Sequence, residues 1–154
     1  MGRIDLLNSW FIPVDGNSPD LFTSCHIPPF PGLNVDVPNN MYGTQAARTG
    51  DSYIGFYPKT EYVEVPLSTP LVAGESYDFQ MYVNQADFAQ ECTDGIGVYF
   101  TTATTTAAAG WGNAQINNTV FNFITNTSGW TLISGTYVAA GGEQFITCLL
   151  YTSP

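Results

Sequence analysis

The chain has 154 residues, of which 14% are aromatic and only 10% are charged, with 13 acidic residues against three basic ones. This length suits one domain and is too short for two that each bury a core. The excess of acid disfavours a phosphate backbone, and no apolar run approaches the roughly 20 residues that span a bilayer. We therefore expect one domain with neither a nucleic-acid partner nor membrane insertion.

The first fifty residues are rich in Pro, Gly and Asn and contain only short apolar runs, around Trp10 and Leu21. This composition predicts two short strands and long ordered loops. The only histidine, His26, lies here beside Cys25, and the chain has no G-x-S-x-G motif. A hydrolytic triad is therefore disfavoured. Cys25 and Cys92 could form a disulfide, but nothing in the sequence requires one.

After residue 50, apolar and polar residues alternate in a series of short segments, which is typical of strands. Seven or eight such strands without helices predict an all-β fold, an antiparallel β-sandwich with jelly-roll topology. The segments with this pattern are, in chain order, SYIGFYP (52–58), TEYVEVPLS (60–68), SYDFQMYVNQAD (76–87), GIGVYFT (95–101), TVFNFIT (119–125) and SGWTLISGTYV (128–138).

Two local features accompany this pattern. The Thr- and Ala-rich stretch 102–117 predicts a surface loop that carries Trp111. In the last segment Trp130 and Leu132 share one phase and Ile133 and Tyr137 the other. A bulge near Leu132 is therefore expected, and we assign Trp130 to the core.

The tyrosines of these strands form the most informative pattern. They lie opposite the aliphatic phase, together with Glu64, Asp78, Gln80 and Asn84, so that one sheet face would present rings for sugar stacking and polar groups for hydroxyls. The alternatives are that loops of the first fifty residues cover the rings, or that the rings pair across strands. The tyrosines in this phase are Tyr53, Tyr57, Tyr62, Tyr82 and Tyr99. Our candidate carbohydrate contacts are Tyr62, Gln80, Tyr82, Asn84, Tyr99 and Trp111.

Carboxylates for a glycosidase pair are available, but no two of them form a recognisable motif, and acids are usually a solvated face. We therefore predict no catalytic residues and keep a small glycoside-active enzyme as an alternative. The acids considered are Glu61, Glu64, Asp78, Glu91, Asp94 and Glu143.

Several segments in order resemble a known family: NSPDLFTSC (17–25), VPNNMYGTQAARTGDSYIGFY (37–57), YVEVPLSTPLVAGESYDFQMYVNQAD (62–87), DGIGVYFT (94–101) and GWTLISGTYVAAGGEQFIT (129–147). Over residues 8–147 the chain resembles the jelly-roll domain, similar to carbohydrate-binding modules, of exported Bacteroidetes surface proteins. In that family the domain often stands beside an OmpA-like, gliding-motility or secretion-sorting domain. The resemblance implies a noncatalytic module, secreted or at the cell surface, that binds glycan.

The chain departs from that family at both ends. It begins at MGRIDLLNSW without the family's extra first strand, and it reads CLLYTSP after Thr147. We expect a domain over residues 1–147 that lacks its first strand, followed by a non-native tail, 148–154. Because related modules commonly supply calcium ligands from these two ends, we predict no metal ligand and no cofactor here, and calcium stays an option only for the intact domain.

Three functional hypotheses follow. The first is an adhesive or glycan-binding module of a larger surface protein, extracellular or at the cell surface, although no export signal is visible in the chain. The second is a structural spacer or assembly domain with no small ligand. The third is the small glycoside-active enzyme.

Overall fold

The structure, a computed structural model, describes residue 4 and residues 7–25, 34–57, 61–106, 114–118 and 121–150. These residues form strands, turns and loops, and none of them belongs to a helix with the length and apolar composition needed to cross a bilayer. The all-β prediction is confirmed. The strands are β1 (Asp20–Thr23), β2 (Asn39–Asn40), β3 (Gly43–Thr44), β4 (Ser52–Gly55), β5 (Val63–Pro66), β6 (Ser76–Val83), β7 (Ile96–Thr101), β8 (Ile116–Asn117), β9 (Thr131–Val138) and β10 (Phe145–Leu150).

All strand pairs are antiparallel, and they form one four-stranded sheet and three two-stranded sheets. The four-stranded sheet has the order β5-β10-β7-β8, while β6 pairs with β9, β1 with β4 and β2 with β3. The sheets do not close into a barrel, which agrees with the predicted antiparallel β-sandwich. The jelly-roll topology stays a prediction.

Phe100 of β7 joins the four-stranded sheet to the β6–β9 pair. Its ring stacks on Tyr137 of β9 with a centroid separation of 4.5 Å, and it meets Phe79 of β6 edge-on at 6.0 Å. Val98 of β7 is fully buried in the same core, and Met81 of β6 packs against this core cluster. Burying one such aliphatic side chain stabilises the fold by about 1.5–3 kcal/mol. The predicted inward phase of β6 and β7 is therefore confirmed.

The expected bulge near Leu132 is absent. β6 and β9 pair residue by residue over their whole lengths, so Ile133 and Tyr137 face the core and Leu132 faces solvent. Trp130 lies one residue before β9 begins and is half-buried. Its position is therefore set by the preceding loop and not by the pleat of the strand, which is why the bulge prediction was wrong.

A buried carboxylate fixes part of the 102–117 stretch against the outer face of the four-stranded sheet. Glu64 of β5 and Thr147 of β10 are cross-strand partners and are both fully buried. Glu64 Oε2 accepts hydrogen bonds from the Thr147 hydroxyl at 2.6 Å and from the Thr105 amide at 3.1 Å. Thr105 and Ala114 are buried, so the surface-loop prediction was wrong at both, and Trp111 lies outside the described residues.

Strand β10 continues past residue 147. Cys148 is the cross-strand partner of Val63 in β5 and of Val98 in β7, and burial raises the pKa of its thiol to about 12. No strand ends at the predicted boundary, because Cys148 contributes to the core. That residues 148–154 are non-native stays a prediction. Cys25 and Cys92 are exposed free thiols and form no disulfide.

Glu143 closes the turn between β9 and β10. It is buried, and its carboxylate accepts hydrogen bonds from the Tyr137 hydroxyl at 2.6 Å and from the amides of Ala140 and Gly141 at 2.8 and 2.9 Å. Burial alone would raise the pKa of Glu143, but these hydrogen bonds outweigh burial and hold the pKa below its ordinary value of 4.5. Glu143 is thus a structural carboxylate.

We predict that Glu64→Leu lowers the free energy of unfolding by about 2–4 kcal/mol, because the buried Thr105 amide and Thr147 hydroxyl both lose their acceptor. Glu64→Gln keeps one carbonyl oxygen for these donors and should cost less. Urea unfolding at pH 7 measures both values. Equal losses for the two variants would show that these hydrogen bonds are not what Glu64 contributes.

We predict that Glu143→Gln lowers the free energy of unfolding by about 1–3 kcal/mol at pH 7. Because the pKa of Glu143 is depressed in the folded state, its contribution is present above the unfolded pKa and is lost as the pH falls through the folded pKa. The difference in the free energy of unfolding between Glu143→Gln and the parent chain should therefore shrink below about pH 4.

Urea unfolding at several pH values between 3 and 7 tests this prediction. The matched control is Glu75→Gln, which removes the same charge at an exposed position. If the loss of unfolding free energy in Glu143→Gln did not change with pH, the assignment of Glu143 as a structural carboxylate with a lowered pKa would be contradicted.

Candidate functional site

A cleft of about 260 Å³ lies at one end of the sandwich. Its floor includes Val83, Ile96 and Ile124, which belong to or pack against the main core. The β2–β3 hairpin and the 84–93 loop, which follows β6, line its sides. The cleft is therefore a place where the two layers are left open and where core side chains reach the surface.

Five aromatic rings in contact with one another form a wall of the cleft, called here the aromatic wall. Its members are Tyr57, Tyr42, Phe22, Tyr53 and Trp130. Along this order the centroid separations are 5.7, 5.8, 5.2 and 5.5 Å. Phe22 and Tyr53 are stacked, and the other three pairs meet edge-on. Phe22 is only 1% exposed, so it supports the wall from behind, and the accessible part of the wall consists of the other four rings.

The pairing of β1 with β4 brings the first of these rings together. Phe22 and Tyr53 are cross-strand partners, so their side chains lie on the same face of the two-stranded sheet. The Phe22 ring also extends over Gly55, where a Cβ atom would lie 2.6 Å from Phe22 Cε2. Glycine at position 55 therefore makes room for the ring, which is a common reason for glycine within a strand.

The hairpin is held by the 84–93 loop. The Thr44 amide donates to Asp87 Oδ2 at 2.7 Å, and Asn84 Nδ2 donates to Gln45 Oε1 at 2.8 Å. Gly43 has a φ of +139°, and a Cβ atom there would lie 2.6 Å from the Cβ of Asp87. The close approach of Asp87 thus needs glycine at position 43, for both its conformation and its lack of a side chain.

Trp130 belongs to the cleft and not to the core cluster, so its assignment to the core was wrong. Its indole Nε1 donates to the backbone oxygen of Ala46 at 3.0 Å, and its ring meets Tyr53. The hydrogen bond from the half-buried indole to Ala46 holds the ring at the end of the aromatic wall.

At the other end of the wall, two tyrosines lie beside two carboxylates. Burial raises the pKa of Tyr42 above its ordinary value of 10, helped by its hydrogen bond with Tyr57 and by the negative charges of Asp20 and Glu61. Glu61 Oε1 accepts from the Ser18 hydroxyl at 3.0 Å, and Oε2 accepts from the Tyr57 amide at 2.6 Å. Tyr42 therefore keeps its proton at neutral pH and can act as a hydrogen-bond donor.

Tyr53 is also held in its neutral form. Burial raises the pKa of Tyr53, and the charge of Asp87 raises it further. A hydrogen bond from Asn40 Nδ2 to the Tyr53 hydroxyl, at 2.6 Å, lowers the pKa but does not outweigh the other two. The wall thus offers phenol groups with fixed positions and known partners.

Of the six predicted contacts, Tyr82 and Asn84 line the cleft. The guanidinium carbon of Arg48 lies 3.4 Å from the centroid of the Tyr82 ring, so one face of that ring is covered. Gln80 is exposed on β6 and does not line the cleft. Trp111 lies outside the described residues.

Tyr99 lies on β7 of the four-stranded sheet and Tyr62 immediately precedes β5. Both are half-buried and neither lines the cleft. Tyr99 is the cross-strand partner of Thr147, which is in turn the partner of Glu64, so Tyr99 shares their outer face. The expectation that the tyrosines occupy one sheet face was wrong, because the strands that carry Tyr53, Tyr82 and Tyr99 belong to three different sheets.

Sequence analysis missed Phe22, Tyr42, Asn40 and Asp20, which the first fifty residues contribute to the cleft. No alternation marks them, because Asp20 and Phe22 lie on a four-residue strand, Asn40 lies on a two-residue strand, and Tyr42 lies in the turn that follows it. A signal that could have found them is glycine between aromatic residues in SYIGFY, which indicates close approach by another chain segment.

No group of three His, Cys, Asp or Glu side chains suited to a metal ion occurs within the described ranges. Comparisons with protein-family models, with curated proteins and with solved structures found no match to this chain.

We predict that Gly43→Ala destabilises the chain by about 1–3 kcal/mol, because the new methyl group would meet Asp87 and the backbone would be strained. Thermal unfolding measures the loss. Gly16→Ala is the control, since Gly16 also has a positive φ, +87°, but open space around it. A loss no larger than that of the control would mean that the contact with Asp87 does not constrain position 43.

Proposed function

We propose that this chain is a noncatalytic, glycan-binding module, extracellular or at the cell surface, and that it binds sugar in the cleft. The observation that carries the proposal is the aromatic wall, which lies in one cleft with amide and carboxylate groups. Aromatic rings pack on the C–H faces of sugars, and amide, phenol and carboxylate groups bind sugar hydroxyls. Tyr57 at the end of the wall is 58% exposed, which leaves its ring accessible to a ligand.

The size of the cleft supports a small ligand. Its volume of about 260 Å³ lies just below the roughly 300 Å³ at which ligand pockets usually begin. We therefore propose that one sugar ring enters the cleft and that the rest of a glycan chain extends outward. Phe88, which also lines the cleft, is 72% exposed and could contact a second sugar.

The resemblance to carbohydrate-binding modules of exported Bacteroidetes surface proteins supports the same function. On that basis we propose a jelly-roll topology, an adhesive role, and attachment to the other domains of a larger surface protein. The adhesive role and the neighbouring domains are proposals about the larger protein, whereas the topology and the binding of sugar in the cleft are proposals about this chain.

A structural spacer is the second candidate, and specific contacts favour it. Tyr53 is engaged by Phe22, Trp130 and Asn40, and Arg48 covers Tyr82. In a spacer these rings would only close the end of the sandwich. The two candidates differ in whether the folded chain binds any sugar.

A glycan array followed by titration calorimetry tests the proposal with the parent chain and Tyr57→Ala. Losing one stacking ring should weaken binding by about 1 kcal/mol, or roughly fivefold. Phe123→Ala is the matched control, because Phe123 is 44% exposed and does not line the cleft. The control should bind as the parent chain does.

Other outcomes identify the alternatives. If the folded parent chain binds no glycan, the spacer is favoured. If binding survives Tyr57→Ala but is lost in Tyr99→Ala, the site lies on the outer face of the four-stranded sheet. Release of shorter sugars during the titration would favour a glycoside-active enzyme.

A further inference from the structure

The cleft carries more acid than base, and this bears on the charge of its ligand. Four carboxylates line it, whereas none of its described lining residues is Lys, Arg or His. Among the described residues, Arg48 contacts the lining ring of Tyr82 and offsets one of these four charges. Lys59 lies outside the described residues. The lining carboxylates are those of Asp20, Glu61, Asp87 and Glu91.

The net charge of the whole chain also favours a cationic ligand over an anionic one. The chain has a formal net charge of −10, so its field attracts cations and repels anions. The cleft also has low-dielectric aromatic walls, which strengthen the effect of the carboxylates that line it. Anionic sugars such as uronates would therefore meet repulsion on entry.

Aromatic rings add a second attraction for positive charge. The face of a tyrosine ring carries negative potential, and a cation over it is stabilised. The contact of Arg48 with Tyr82 at the edge of the cleft is an example within the chain itself. The Tyr57 ring is 58% exposed, and the Tyr57 amide donates to Glu61 Oε2, so this acid lies beside the backbone of the residue that carries the ring.

We infer that the cleft selects glycans that carry a protonated amino group, such as oligomers of glucosamine, over neutral and anionic glycans. An ammonium group in the cleft would donate hydrogen bonds to a lining carboxylate and contact the face of an aromatic ring. This inference rests on the proposed binding of glycan in the cleft, and it adds the charge class of the ligand.

Titration calorimetry of the full chain with three tetrasaccharides tests the inference. The probes are glucosamine, N-acetylglucosamine and galacturonate tetrasaccharides at pH 6 and low salt. We expect the amine form to bind about fivefold more tightly than the acetylated form, and the uronate not to bind. The preference should decrease at 0.3 M salt, because screening weakens attraction between accessible charges.

Two variants locate the effect. Asp87→Asn removes a lining charge but keeps an oxygen for the Thr44 amide, and it should reduce the preference for the amine. Asp15→Asn removes the same charge at an exposed position that does not line the cleft, and it should leave the preference unchanged. Thermal unfolding of each variant confirms that it is folded.

The outcomes separate this inference from the proposed function. Equal binding of the amine and acetylated forms overturns the inference but supports glycan binding. Tighter binding of the uronate also overturns it. A loss of preference in Asp15→Asn equal to that in Asp87→Asn would assign the effect to overall charge and reject selection by the cleft. If no glycan binds, both the inference and the proposed function fail.

Discussion

The contact of Phe100 with Tyr137 and Phe79 is the interaction on which the arrangement of the two main layers depends. It places the β6–β9 pair over the four-stranded sheet and fixes which residues of β6 point inward. Because side chains alternate along a strand, the last inward residue, Val83, reaches the open end of the core and becomes part of the cleft floor. The packing of β6 therefore places one part of the cleft floor, and the hairpin and the 84–93 loop form the sides.

The chain buries several carboxylates, although it has only three Lys or Arg residues that could pair with them. Glu61, Glu64 and Glu143 are all buried, and each accepts hydrogen bonds from backbone amides and hydroxyl groups. A buried carboxylate is tolerated when such donors replace water. Each of the three also ties together segments that no strand ladder connects. Acids that sequence analysis considered as catalytic candidates thus serve local structure at Glu64 and Glu143.

The sequence predicted the long strands well because their burial is one-sided and periodic. In β6 and β7 the alternation of apolar and polar residues follows directly from a core on one face. It predicted the cleft poorly, because only two residues of the aromatic wall lie on strands, and both strands are short. The other three, Tyr42, Tyr57 and Trp130, lie in turns or loops. Alternation within a strand also cannot show which sheet that strand joins, and so Tyr82 and Tyr99 were grouped although they lie on different sheets.

The groups that line the cleft support the proposed binding role. Tyr42 and Tyr53 have raised pKa values, so their hydroxyls remain protonated and are weak nucleophiles at neutral pH. Glu61 is held on one oxygen by Ser18 and on the other by the Tyr57 amide, which fixes the carboxylate in place. A rigid wall loses little conformational entropy when a ligand binds, and this lowers the cost of association. The proposed binding of a small sugar therefore relies on rings and polar groups that are already fixed in the free chain.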